Sequence, residues 1–153
     1  MKAIASLLLL LGLFACEQDE DTIKLSEGDY LIFGHFYGEC LGEQCSETFR
    51  LEEDRLLESN DDWYTNPRNF VELSQAEFEL ARGLVEAIPS QLLDQPDSTF
   101  GCPDCYDQGG LFIEYNFNGK QQQWSIDQTQ ADVPEYLHAF MDQVNQTITA
   151  LNP

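Results

Sequence analysis

Positive charge is scarce in this chain: 7 Lys and Arg stand against 28 Asp and Glu in 153 residues, a formal net charge of −21. That balance excludes a nucleic-acid partner, because neutralising phosphates needs clustered Lys and Arg. It also disfavours direct adhesion of the folded part to an anionic membrane, while favouring solubility and weak contacts with cations or basic partners. Histidine is scarcer still, with only His35 and His138. No nucleophile motif accompanies them, so a Ser/His/Asp or Cys/His constellation finds no support. No loop has the Asp/Asn/Gly order of an EF-hand. The longest apolar run, Ala3 to Phe14, falls short of the about 20 residues that cross a bilayer.

That run nevertheless carries information. Met1-Lys2 supplies one basic residue, the apolar core follows, and Leu13-Phe14-Ala15-Cys16 closes it. This is the layout of a secretory signal. The last four residues resemble the lipobox of bacterial lipoproteins, with Leu three positions before the cysteine and Ala directly before it. The resemblance covers sixteen residues. It implies removal of residues 1–15 and acylation of Cys16 as the new first residue, with two or more chains giving a stable membrane anchor. Lys2 is the only charged residue of the leader, so the mature chain would be one unit more negative.

Glu17-Gln18-Asp19-Glu20-Asp21 opens a polar stretch reaching Glu27. It is too charged and too poor in apolar residues to fold, and reads as a solvated tether. The acidic run also resembles the export signal that one Gram-negative phylum places after the lipidated cysteine. The expected location is therefore the outer membrane, on its cell-surface or its periplasmic face. The expected organisation is a signal peptide over residues 1–15, an acidic tether over 16–28 and one domain over 29–153. About 125 residues suffice for one domain with a real core.

Within the domain, Asp29 to Tyr37 reads as a strand apolar on both faces, hence central. Gly38 to Ser46 is a loop, and Glu47 to Glu52 alternates as a half-buried strand. Arg55 to Glu58 suggests a short third strand. Ser74-Gln75-Ala76-Glu77 is a capping box. It predicts a helix to about Ala87 with Phe78, Ala81, Leu84, Val85 and Ile88 inward, ended by Pro89. Leu111 to Phe117 and Lys120 to Asp127 form a hairpin through Asn118-Gly119. A last helix from near Asp132 has Val133, Tyr136, Leu137, Phe140, Val144, Ile148 and Leu151 as its buried stripe. The fold class is α+β: a four- to five-stranded antiparallel sheet with two amphipathic helices packed on one face, in ββ(β)α-ββα order.

Once Cys16 is given to lipid, Cys40, Cys45, Cys102 and Cys105 hold the chemical potential of the domain. Disulfides are the favoured reading, from the even count and the oxidising compartment. Local pairing (40–45 and 102–105) would remove about 2 kcal/mol of unfolded-chain freedom per bond, against about 4 kcal/mol for a bond between the loops. Local pairing is slightly preferred because sequence neighbours meet first. The alternative is a zinc site with Cys40, Cys45, Cys102 and Cys105 as four thiolates. A third reading is thiol–disulfide exchange, since Cys102-Pro-Asp-Cys105 resembles the dithiol of thioredoxin-type oxidoreductases. In that family the motif follows a strand and opens a helix that lowers the thiol pKa, whereas here Tyr-Asp-Gln-Gly-Gly and a strand follow.

Other candidates have simpler readings. The carboxylates are too numerous for any spacing to mark an acid–base pair. His35, mid-strand among apolar residues, reads as a satisfied core histidine, and His138 as a surface residue. Trp63 and Tyr64 form a possible platform for a sugar or protein partner, or else fold back over the sheet edge. Taken together, the chain resembles the small acidic surface lipoproteins. The expectation is a lipid-anchored, non-enzymatic envelope component or binding module with two disulfides, no cofactor (zinc in the alternative), and an unidentified protein or glycan partner.

Overall fold

A computed structural model of the chain describes residues 23–40, 45–60, 69–96 and 98–152. Among these residues lie strands β1 (Tyr30–Phe36), β2 (Ser46–Leu51), β3 (Leu56–Ser59), β4 (Phe70–Glu72), β5 (Ser98–Phe100), β6 (Gly110–Phe117) and β7 (Lys120–Asp127). The α-helices are α1 (Gln75–Ala81), α2 (Ser90–Leu93) and α3 (His138–Leu151). All the strands join one sheet in the order β4-β3-β2-β1-β6-β7-β5. β1 sits at its centre, as its two apolar faces predict. The β1–β2 and β6–β7 hairpins meet through an antiparallel β1–β6 pairing that sets Phe33 beside Ile113 and Phe36 beside Gly110.

The α+β class holds, and two features of the expected sheet need correction. The sheet has seven strands, not four or five, and it is mixed: β5 runs parallel to β7, with Ser98 level with Trp124 and Phe100 level with Ile126. The added strands β4 and β5 are three residues each. Alternation needs four residues or more to register, so these segments become strands only because a formed neighbour offers a ladder. Among the described residues there are three α-helices where two were expected, the extra one being the single turn α2.

The predicted caps and hairpin are present. Ser74 Oγ accepts from the Glu77 amide at 3.4 Å, and Glu77 Oε2 accepts from the Ser74 amide at 2.7 Å. The Ser74 hydroxyl also donates to Glu77 Oε2 at 2.6 Å, and this bond and the one from the Ser74 amide hold the Glu77 carboxyl below its ordinary value. α1 ends at Ala81 rather than near Ala87, tightening into a 3₁₀ turn at Arg82–Leu84. Gly83 lies in that turn, where glycine costs a helix about 1 kcal/mol relative to alanine. The inward stripe survives the change, with Ala81, Leu84, Val85 and Ile88 all buried. The last helix is preceded by 3₁₀ turns at Gln130–Asp132 and Glu135–Leu137 and becomes α only at His138. His138 is half-buried, not at the surface, with Nε2 3.2 Å from the Val133 carbonyl. Asn118 (φ 52°) and Gly119 (φ 76°) make the β6–β7 turn in the left-handed region, as the Asn-Gly pair predicts.

One face of the sheet carries the main core. Leu31, Phe33, Phe49, Leu51, Leu111, Ile113, Trp124 and Ile126 meet Leu84, Leu92, Leu137, Phe140, Val144 and Ile148. Full burial of each such side chain contributes about 1.5–3 kcal/mol. Ile23 and Leu25, counted with the tether in the sequence reading, are half-buried against this core. The opposite face holds a smaller cluster of Ile32, Phe36 and Phe112 flanked by Tyr30 and Phe70. There the Arg50 guanidinium lies 4.2 Å from the Tyr30 ring centre, and the Tyr30 hydroxyl donates to Glu114 Oε1 at 3.0 Å.

Candidate functional site

Strand directions gather the cysteine loops at one end of the sheet. β1 ends at Phe36 opposite Ser46 of β2 and Gly110 of β6, and Gly110 lies opposite Asp127 at the end of β7. Loop 37–45 and loop 101–109 therefore leave from the same end. Cys40 pairs with Cys45 and Cys102 with Cys105, with Cα atoms 5.4 and 5.5 Å apart. Pairing is local, the connectivity slightly preferred from sequence. Cys40, Cys102 and Cys105 are exposed and Cys45 is half-buried.

The loops meet through a carboxylate, not through sulfur. Asp104 Oδ2 accepts from the Gly38 amide at 2.6 Å, and Asp104 Oδ1 accepts from the Gly109 amide at 3.0 Å. Asp104 has φ 60°, a left-handed conformation that Asp tolerates better than most residues. A side chain at position 38 would overlap Asp104 Oδ2, so glycine there permits the close approach.

A second carboxylate anchors the Cys102–Cys105 loop from below. Asp127 is 1% exposed. It accepts from the Cys102 amide at 2.9 Å, the Thr129 amide at 2.8 Å and Gln108 Nε2 at 3.1 Å. Burial pushes its pKa up, but the bonds from Thr129, Gln108 and Cys102 outweigh burial and hold it below the ordinary aspartate value. Gln108 also donates to the Cys102 carbonyl at 2.8 Å and accepts from the Tyr106 amide at 2.7 Å. The loop is thus held at its base by hydrogen bonds and closed by its disulfide, while Tyr106 projects at 87% exposure.

This arrangement bears on the chemical readings of the cysteines. A four-thiolate zinc site needs four deprotonated sulfurs around one point, whereas these sulfurs are bonded in two separate pairs. Among the described residues, no group of three or more His, Cys, Asp or Glu side chains is placed to hold a metal. Cys102-Pro-Asp-Cys105 lies in a turn that leads into β6, with no helix N-terminus at Cys102 or Cys105 to depress a thiol pKa. His35 Nε2 stands 3.5 Å from Glu47 Oε2, and its ring is 5.3 Å from that of Tyr37. Burial, followed by the charge of Glu58, pushes the Glu47 carboxyl above its ordinary value. Cys16, Trp63 and Tyr64 lie outside the described residues, as do the leader and the acidic run after it.

Asp104, Gln108 and Asp127 carry the geometry of this end, and the sequence reading gave none of them a role. For Asp104 a signal existed, since an Asp between two closely spaced cysteines suits a left-handed turn position. For Asp127, at the end of a predicted strand, no local signal distinguishes a buried anchor from a solvated carboxylate.

A separate groove of about 700 Å³ lies beside α1, floored by Ile23, Leu25, Leu51, Phe78 and Val85. No described helix is long and apolar enough to cross a membrane. A scan against protein-family models finds no match, and a search of the curated proteins finds none similar to this chain.

Proposed function

We propose that this chain is a lipid-anchored, extracytoplasmic envelope protein that works as a binding or structural module and not as a catalyst. The observation that carries the reading is the state of the cysteines: both pairs are closed, and three of the four residues are exposed. Solvent-accessible disulfides of this kind persist in an oxidising compartment and are reduced in the cytosol. The lipobox-like Leu13-Phe14-Ala15-Cys16 supports the same compartment independently, and assigns Cys16 the anchor.

The non-catalytic part rests on how the polar groups at the disulfide end are used. Asp104 and Asp127 spend their oxygens on backbone amides and Gln108, which shapes loops and leaves the carboxylates little freedom for proton transfer. The protein sits in the outer membrane, on its surface or its periplasmic face, with a protein or glycan as partner.

Fractionation tests the anchor. Wild type is expected in the detergent-soluble membrane fraction as a cut, acylated chain. Cys16→Ser is expected to be released or left unprocessed. A Cys16→Ser chain that stays membrane-bound like wild type would refute the reading. Protease shaving of intact cells separates the two faces of the membrane.

A further inference from the structure

We propose that the anchored protein stands on the end of its sheet where β1 begins, turning the two disulfide loops away from the bilayer; this rests on the lipid anchor proposed above. The chain enters the fold at one end only. Asp29 Oδ2 accepts from the Ser26 amide at 3.1 Å and Oδ1 accepts from the Asn118 amide at 2.8 Å, pinning the incoming chain to the β6–β7 turn. Ile23 and Leu25 are packed beside Leu51 and Phe78, so the chain is fixed to the domain from Ile23 onward. β1 then runs the length of the sheet, and seven residues at about 3.3 Å each put the disulfide loops roughly 20 Å from that entry point.

Tether length sets the orientation. Residues 17–22 between Cys16 and Ile23 can reach at most about 25 Å. Laying the disulfide end on the membrane would draw the tether nearly taut along the flank of the domain. Standing on the entry end leaves it slack.

Charge acts in the same direction. Lys24, Arg55 and Lys120 all lie at the entry end, beside the incoming chain, the β2–β3 turn and the β6–β7 turn. The described segments of the disulfide end, residues 37–40, 45–49, 98–110 and 127–132, contain no Lys or Arg and carry Glu39, Glu47, Asp104, Asp107, Asp127 and Asp132, whereas at the entry end Lys24, Arg50, Arg55 and Lys120 offset most of Glu27, Asp29, Glu52, Glu53 and Asp54. An anionic lipid surface repels that end more strongly than the entry end, within a Debye length of about 8 Å at physiological salt.

The test compares two thiol-reactive probes on the full acylated protein, reconstituted in vesicles of zwitterionic and anionic phospholipid with headgroup-quencher lipid. Asp54→Cys places a probe in the exposed β2–β3 turn, and Ala131→Cys places one in the exposed 3₁₀ turn after β7. Labelling without reductant leaves the native disulfides closed. The Asp54→Cys probe is expected to be quenched severalfold more strongly than the Ala131→Cys probe. Equal or reversed quenching on protein that stays bound overturns the orientation while leaving the anchor standing. A Cys16→Ser chain that still binds membranes overturns the anchor, and the orientation with it. Near-ultraviolet circular dichroism matching wild type establishes that each labelled variant is folded.

Discussion

Asp104 and Gly38, 66 residues apart in sequence, are joined by a hydrogen bond of 2.6 Å from the Gly38 amide to the Asp104 carboxylate. That bond couples the two disulfide loops. Asp104→Ala should leave both disulfides formed and the sheet intact, at a cost of about 1–2 kcal/mol for a charged hydrogen-bond acceptor. Amide exchange at Gly38 and Gly109 should accelerate together. Unchanged exchange at both amides would show that the loops hold their positions without Asp104.

Asp127 should matter more, because its carboxylate is itself buried and takes three donors. Asp127→Ala leaves the Cys102 and Thr129 amides without their acceptor, a loss of about 1–3 kcal/mol. The carboxyl is held below its ordinary pKa in the folded state. Its contribution is therefore complete above the usual aspartate value and is lost as pH falls through the lower folded one. Urea melts between about pH 5 and pH 2 should show a flatter acid slope for Asp127→Asn than for wild type. An identical slope would assign the acid sensitivity to other groups.

Glu47 behaves in the opposite sense. Burial and Glu58 raise its pKa, and Glu58 is itself raised by burial and by Glu77. A carboxyl that keeps its proton longer in the folded state favours folding below the ordinary value, and that favour is lost as pH rises through the folded one. Glu47→Gln keeps an oxygen to accept from Asn152 Nδ2, now at 2.8 Å, and removes the charge. It should raise the urea midpoint at neutral pH, with the gain shrinking as pH falls below the carboxylate range. A midpoint lowered at neutral pH would instead show that attraction to His35 dominates.

Reduction should add one hydrogen for each of the four sulfurs to the intact mass of the domain. Replacing either cysteine pair by serines should cost about 2 kcal/mol, since each closes a short loop. The same cost for both pairs is expected, because the sequence separations are 5 and 3. A mass unchanged by reductant would mean that the thiols are free in solution.

Legibility followed the length of the local signal. β1, β2, β6 and β7 have six to eight residues each, enough for alternation to separate faces. Ser74 to Glu77 and Asn118-Gly119 declare themselves because each is complete within four residues or fewer. β5 did not, since Ser98-Thr99-Phe100 is a strand only through its ladder with Trp124 to Ile126, a relationship no local pattern contains. At the disulfide end the cysteines were legible by type. Their organiser Asp127 was not, because its burial comes from a loop 25 residues upstream, at Cys102.

The two outermost strands of the sheet, β4 and β5, are three residues long. β5 covers Trp124 to Ile126 of β7 and leaves Lys120–Gln123 uncovered beside it, so a passing copy of the chain meets only stretches of three or four residues along these borders, short rows for seeding an added ribbon. Brevity at the margins is a safeguard against growing into fibrils.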